Sequence, residues 1–315
     1  MMAFLILLLF ILFYLLGKSA DLVVLQVKGL GERFGIPLSF LGIILGLLTS
    51  VPELSVGINA LLENAVAVSV GNLFGGVIVL FGLIYGGGII LNRKTKTDGK
   101  IWHIIPFFSY ILLAIIFGIT GTITEVEGGI LMAGYLAFIF FLYLKGEKKQ
   151  SDHHFKRTPI SLTKSVLIVI AGLLGVIVLS KLIVFLSLEF IKDFHIPEFL
   201  TGFLVFSIGT NLPEVTITIR SWRKHIKDLS VANIYGSAIA NIFIIGLLAF
   251  LKPIPIQTGM SYYAMAVAFL VLFILTVFFY KSDKKLTRPE GFALLGFYVL
   301  SVGTELILFI LGKMG

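Results

Sequence analysis

Ten predominantly apolar runs divide this chain, at about 3–27, 38–62, 66–91, 102–119, 128–145, 161–187, 198–220, 230–251, 260–280 and 290–311. Each approaches the roughly 20 residues that a helix needs to cross a hydrocarbon layer. Inside such a layer the backbone must satisfy its own polar groups, which helices do within one segment. The expected fold is an all-α polytopic membrane protein with ten transmembrane helices. Composition agrees, since 58% of the residues are hydrophobic and only 13% charged, against roughly half and a quarter in soluble proteins. The first run lacks a basic leading region and exceeds the roughly 7 to 15 apolar residues of a signal core, so it reads as a retained first helix.

The formal net charge of +8 does not point to nucleic acid, because the basic residues fall between apolar runs. Lys18, Lys28 and Arg33 flank the first connector. Arg93, Lys94, Lys96 and Lys100 fill the third, and the stretch from Lys145 to Lys164 crowds the fifth. Arg220, Arg223, Lys224 and Lys227 mark the seventh, and Lys281, Lys284, Lys285 and Arg288 the ninth. The even connectors carry little: Glu63, then Glu125 and Glu127, then Lys192 and Lys252. Positive charge collects on the cytoplasmic side, so both termini are expected outside and the odd connectors inside, in a prokaryotic cell (inner) membrane. The sequence has no Cys, which excludes disulfides, thiolate metal sites and Cys nucleophiles. Its five His, at 103, 153, 154, 195 and 225, fall at segment ends or in connectors.

The two halves repeat one another. Phe34-Gly-Ile-Pro37 recurs as Phe194-His-Ile-Pro197, Thr49-Ser-Val-Pro-Glu53 as Thr210-Asn-Leu-Pro-Glu214, and Gly71-Asn-Leu-Phe-Gly75 as Ala232-Asn-Ile-Tyr-Gly236. With an odd number of spans in each half, the second copy runs inverted in the membrane. Residues 1–150 form a first five-helix repeat, 151–160 a cytoplasmic linker and 161–315 a second, inverted five-helix repeat. That plan belongs to secondary transporters, which bind substrate near the midplane where the repeats meet. The linker leaves no room for a separate sensing domain.

The repeated pentapeptide carries the chemistry. Proline inside a helix removes a backbone donor at a cost of about 3 kcal/mol, so Pro52 and Pro213 are expected to free the carbonyls of Leu48 and Gly209 beside Thr49 and Thr210. Glu53 and Glu214 come one residue after each proline. An acid at that depth costs roughly 2.5 to 3.5 kcal/mol on insertion scales and marks a functional site by default. With no Lys or Arg in the motif helices near them, the compensating charge is a bound ion or a proton. Carboxylate, carbonyl and hydroxyl oxygens without Cys or His form a hard site that suits Ca²⁺ better than Zn²⁺ or Cu. Asn72 and Asn233 are either ligands or packing amides, and the glycines at 71, 75, 76 and 86–88 read as close-packing surfaces.

These motifs resemble the cation/Ca²⁺ exchanger superfamily, which includes sodium/calcium exchangers and whose paired repeats carry G-T-S-L-P-E followed by G-N-x-x-G-S-x-x-x-N/D. The resemblance covers essentially the whole chain. It implies Glu53 and Glu214 as central Ca²⁺ ligands, backbone oxygens around Thr49 and Thr210, the side chains of Ser50 and Asn211, and Ser237 and Asn241 as later ligands. It also implies that the first helix of each half slides during alternating access. The chain departs from the pattern at Gly76, where Ser is usual, at Leu80, where a polar ligand is usual, and at Asn241 and Asn211, where Asp and Ser are common.

Together these features read as a secondary antiporter, exchanging Ca²⁺ for Na⁺ or H⁺ by alternating access at a midplane site. The alternatives are an H⁺-coupled or other divalent-cation exchanger and, further off, a divalent-cation channel. An enzyme is not expected, since the span interiors hold no His, His103 standing at a span's end, and no nucleophile and base pair. No cofactor is expected; the partners are the transported ions and the lipid bilayer, and a monomer meets the plan. Asp21 and Lys181 occupy equivalent positions in the first helix of each half, where they either touch or stand apart as a boundary acid and a snorkelling base. Glu305, in the last span, either pairs with Lys181 or faces a crevice.

Overall fold

The computed structural model describes residues 2–33, 46–92, 94–96, 104–145, 162–194, 196–223, 227–281 and 285–312. Phe34 to Pro37, the linker 151–160 and all five His lie outside them. Helix α1 spans Met2–Arg33 and α2 spans Val51–Leu62, after a helical turn at 46–49. Then come α3 (Val66–Asn92), α4 (Ile105–Gly118) and α5 (Glu125–Lys145). The second half gives α6 (Leu162–Phe194), α7 (Glu198–Thr210), α8 (Leu212–Arg223), α9 (Lys227–Leu251), α10 (Met260–Lys281) and α11 (Arg288–Ile310).

Among the described residues, five helical stretches are long and apolar enough to cross a membrane: Val66–Asn92, Thr163–Glu189, Ser230–Leu251, Met260–Lys281 and Arg288–Ile310. That is half the expected number. Three apolar helices are shorter, Val51–Leu62, Ile105–Gly118 and Glu198–Thr210. Two of these are short because the chain breaks helix at Ser50 and at Asn211, inside what the hydropathy reads as one run. Helices α1 and α5 are also continuous, over 32 and 21 residues. Large apolar side chains cover the outside, with Phe10, Leu174, Phe278 and Leu300 all more than half exposed, a surface that only lipid or protein accommodates without penalty.

Helix α1 packs along α6, α5 along α9, and α11 against the C-terminal part of α3. One apolar core lies among α3, α4, α9 and α10, around Leu80, Phe81, Phe108, Tyr235 and Phe269. A second lies among α1, α2 and α6, around Leu16, Ala20, Val56, Ala60, Val176 and Ile183. The expected close packing at glycine is clearest where α3 crosses α7. A Cβ on Gly71 would lie 2.2 Å from the Phe199 carbonyl oxygen, and one on Gly202 would lie 2.2 Å from that of Val68. The two backbones meet reciprocally, which only small residues permit. Gly86 and Gly88 also abut α11 and Trp222, whereas Gly87 faces open space.

Two short antiparallel pairs tie connectors of the two halves together. Strand β1 (Lys94–Lys96) pairs with β4 (Lys285–Thr287), and β2 (Thr122–Ile123) pairs with β3 (Ile254–Pro255). The first pair joins the third connector to the ninth, both basic; the second joins the fourth to the eighth, both nearly bare. Lys252 likewise donates from the eighth connector to Asn64 Oδ1 in the second, at 3.3 Å.

Candidate functional site

The two copies of the pentapeptide leave helix in the same way. Ser50 has φ −82° and ψ 8°, and Asn211 has φ −82° and ψ 10°. New helices start one residue later, at Val51 and Leu212. Pro52 and Pro213 therefore occupy the second position of a fresh helix, where no intrahelical partner is waiting for an N–H and proline is well tolerated. The break lies upstream of the prolines, and they seed the helix that carries each acid. The Gly209 carbonyl, expected to be free, accepts the Asn211 backbone N–H. The oxygen that gathers polar groups in the first copy is that of Gly46, which accepts from Thr49 Oγ1 at 3.0 Å and Ser50 Oγ at 2.9 Å.

Glu53 and Glu214 each open a new helix and are buried, 1% and 0% exposed. Ser237, which donates to Glu214, also lies against Thr49 of the first motif, so the two motifs share one region. Glu214 Oε1 accepts the Ser237 hydroxyl at 3.0 Å. Glu214 Oε2 and both oxygens of Glu53 have no hydrogen-bond partner. Buried acceptors without donors are costly, and here three belong to acids.

The polar residues around them are exchanged between halves. Ser237 of α9 lies 3.1 Å from Thr49 Oγ1, and Thr210 Oγ1 donates to Asn72 Oδ1 of α3 at 3.1 Å. Each motif is thus completed by the helix that follows the other motif. Asn211 donates to the Ser207 carbonyl at 2.7 Å, and Asn241 Nδ2 approaches the Leu73 carbonyl at 3.4 Å while its Oδ1 has no partner. Asn233 is fully buried with neither side-chain atom hydrogen-bonded. All ten candidates, Thr49, Ser50, Glu53, Asn72, Thr210, Asn211, Glu214, Asn233, Ser237 and Asn241, are buried. Among the described residues, no three His, Cys, Asp or Glu side chains gather as a metal cluster.

The family model described as sodium/calcium exchanger protein matches residues 4–144 and 164–306, most of both halves. The chain belongs to the sodium/calcium exchanger family. The sodium/calcium exchanger MaX1 of Methanosarcina acetivorans is 26% identical, over 94% of this chain and 96% of its own. A putative antiporter, CaxA of Alkalimonas amylolytica, is 25% identical over 94% and 95%. A solved structure of the sodium-calcium exchanger NCX_Mj superposes with TM-score 0.70 at 22% identity, covering 95% of this chain and 98% of that one, a likeness of fold.

Within this exchanger family the departures at 76 and 80 acquire a geometry. A Cβ on Gly76 would lie 2.7 Å from Asn241 Nδ2 and 3.2 Å from Asn211 Nδ2. Two amides from the second half fill the space a serine would need. Leu80 is fully buried in a π-helical stretch, Val79–Tyr85, of α3. A single serine at 76 is therefore a poor repair: Gly76→Ser is expected to slow Ca²⁺ uptake severalfold, by displacing Asn241, and initial-rate measurements check this.

Some residues escaped the sequence reading. Ser55 and Ser180 hydroxyls stand 2.5 Å apart, and Asn59 reaches Ser180 at 3.4 Å, so a polar contact joins α2 to α6 close to Glu53. The only signal was the four-residue spacing of Ser55 and Asn59 on one face of α2. Asp21 is buried while Lys181 is exposed, so the equivalent positions in α1 and α6 have different surroundings. Glu305 is buried beside Ser261 of α10, with Oε2 unpartnered.

Proposed function

We propose that this protein is a secondary antiporter in which Ca²⁺ binds between Glu53 and Glu214 and is exchanged for Na⁺ or H⁺ by alternating access. One observation carries this reading: two mirrored carboxylates, both buried, keep three oxygens without a donor. A hard cation or protons supply the missing partners. Thr49, Ser50, Thr210, Asn211, Ser237, Asn241, Asn72 and Asn233 add hydroxyl and amide oxygens, the oxygen-only chemistry that Ca²⁺ takes with 6 to 8 ligands.

The architecture behind it is ten spans in two inverted five-helix repeats, 1–150 and 161–315, joined by a cytoplasmic linker at 151–160, with both termini outside. Matching breaks at Ser50 and Asn211 support the repeat. The pairing of odd connectors with odd, and even with even, supports the sidedness, because strands that hydrogen-bond must lie on one side of the membrane.

Charge arithmetic narrows the coupling. Two carboxylates balance one Ca²⁺, two Na⁺ or two protons, and Gly76, Leu80 and Asn241 add no further charge. Exchange close to electroneutral is the expected outcome. In proteoliposomes, radiolabelled Ca²⁺ uptake should follow an imposed Na⁺ or pH gradient, and the effective gradient names the counter-ion. Uptake driven by membrane potential alone would overturn the reading, and so would Ca²⁺ flow without counterflow, the behaviour of a channel. Asn241→Asp adds a third negative charge, so its uptake is expected to become sensitive to potential where the wild type is not.

A further inference from the structure

Beyond Glu214, helix α8 carries one stripe toward its own end. Glu214, Thr218 and Trp222 follow at four-residue spacing, which puts them on one helix face. Each is tied down differently. Glu214 accepts from Ser237 of α9 at 3.0 Å. One turn on, Ser230 of the same α9 donates to Thr218 Oγ1 at 3.1 Å, and both residues are buried. One turn further, the Trp222 ring lies over Gly88 of α3, where a Cβ would stand 1.5 Å from Cη2 and 1.9 Å from Cζ2. Only glycine leaves room for the indole there. Whatever moves along this face, between Glu214 and the membrane surface at which α8 ends, has to pass the Thr218 pair and then the ring. Trp222 itself is part-exposed, as a residue at the mouth of such a path should be.

The first copy of the repeat is closed in another way. At the offset that relates Glu53 to Glu214, Gly57 stands for Thr218, Leu61 for Trp222 and Ser69 for Ser230. Ser69 Oγ is buried without a partner, and Leu248 of α9 fills the place beside Gly57, its Cδ1 2.8 Å from where a Cβ would be. The hydroxyl pair and the aromatic ring seated on glycine belong to the second copy.

We propose that Trp222, seated in the notch at Gly88, is the stopper that closes the path from Glu214 to the surface at which α8 ends, with the Ser230 and Thr218 pair as the inner half of the same closure. The proposal rests on Glu214 holding the transported cation; with both termini outside, the closed surface is the cytoplasmic one. For an ion to leave on that side, the indole has to leave the notch. Gly88 contributes no side chain that interlocks with the ring, so ring and helix part along a smooth contact.

The sequence has no Cys, so a single introduced thiol reports access without background. Thr218→Cys places it behind the ring, at a position 2% exposed, and a membrane-impermeant maleimide is applied at the surface where α8 ends. Gly88→Ala, which expels the ring, and Trp222→Ala, which removes it, should each speed labelling about tenfold or more, since overpacking or emptying a tight contact shifts the closed state by about that factor. Gly87→Ala, on open space, should label as slowly as Thr218→Cys alone. A second reporter, Val56→Cys, fully buried among α1, α2 and α6, should stay unreactive in the same variants. Equal rates with and without the ring, whether fast or slow, would overturn the proposal. So would a rise at Val56→Cys alongside, which would make Trp222 a packing residue, or a rise in Trp222→Ala alone, which would show that the notch is not the seat. Failure of the underlying reading looks different: the ring would still guard Thr218→Cys, while Glu214→Gln would keep gradient-driven uptake.

Discussion

Glu53→Gln and Glu214→Gln should each abolish gradient-driven Ca²⁺ uptake, while the protein itself should become no less stable. Glutamine keeps the shape of the side chain and removes the charge. Truncating one member of a buried charged set costs about 3 kcal/mol or more, which is two orders of magnitude or more in affinity. Without the cation, however, two carboxylates sharing a buried site disfavour each other's charge, and both acids are buried, so neutralising either removes that conflict. Two measurements separate the effects. Transport should fall at least about 100-fold, as that affinity loss requires, while the melting temperature without Ca²⁺ should match or exceed that of the wild type. Wild-type protein should also melt higher as Ca²⁺ is added, by about 2.7 kcal/mol at a hundred times Kd, and neither variant should respond. Gradient-driven uptake retained by both variants would remove the site from the proposal.

Gly71→Ala and Gly202→Ala should unsettle the whole bundle. Each added methyl lands 2.2 Å from a main-chain carbonyl oxygen of the facing helix, well inside contact distance and not relieved by any rotamer. Overpacking a tight interface costs about 1 to 3 kcal/mol, occasionally more, and here it forces α3 and α7 apart at the level of Asn72 and Thr210. Both melting temperature and uptake should drop. Gly87→Ala, on the same helix α3 but facing open space, serves as the control and should stay near wild type. A Gly71→Ala protein that melts and transports like the control would show that the two backbones do not touch at this crossing.

The reach of the sequence differs by feature. Apolar runs marked the helical segments because hydropathy is a local property that helix length turns into a span. It joined 38–62 and 198–220 into single runs, since Ser50 and Asn211 are too few to interrupt an apolar average; the structure breaks helix at both. The prolines marked the neighbourhood of those breaks but misled about their position, because a proline two residues into a helix and a proline within one look alike in sequence. Gly71 was legible as a packing residue through its type. That Gly202 would meet the same crossing from the other side was not.

By itself, then, the sequence determined the helical membrane class, the repeat, and the two acids that the repeat places at matched positions. It did so because burial, charge and spacing along a chain are written in neighbouring residues. Only the tertiary structure decided that Thr49 meets Ser237 and Thr210 meets Asn72, pairs 188 and 138 positions apart, and that Asp21 is buried while Lys181 is exposed. Those choices depend on which helix faces cross, and at what height. Packing of whole surfaces sets them, and no local pattern records it.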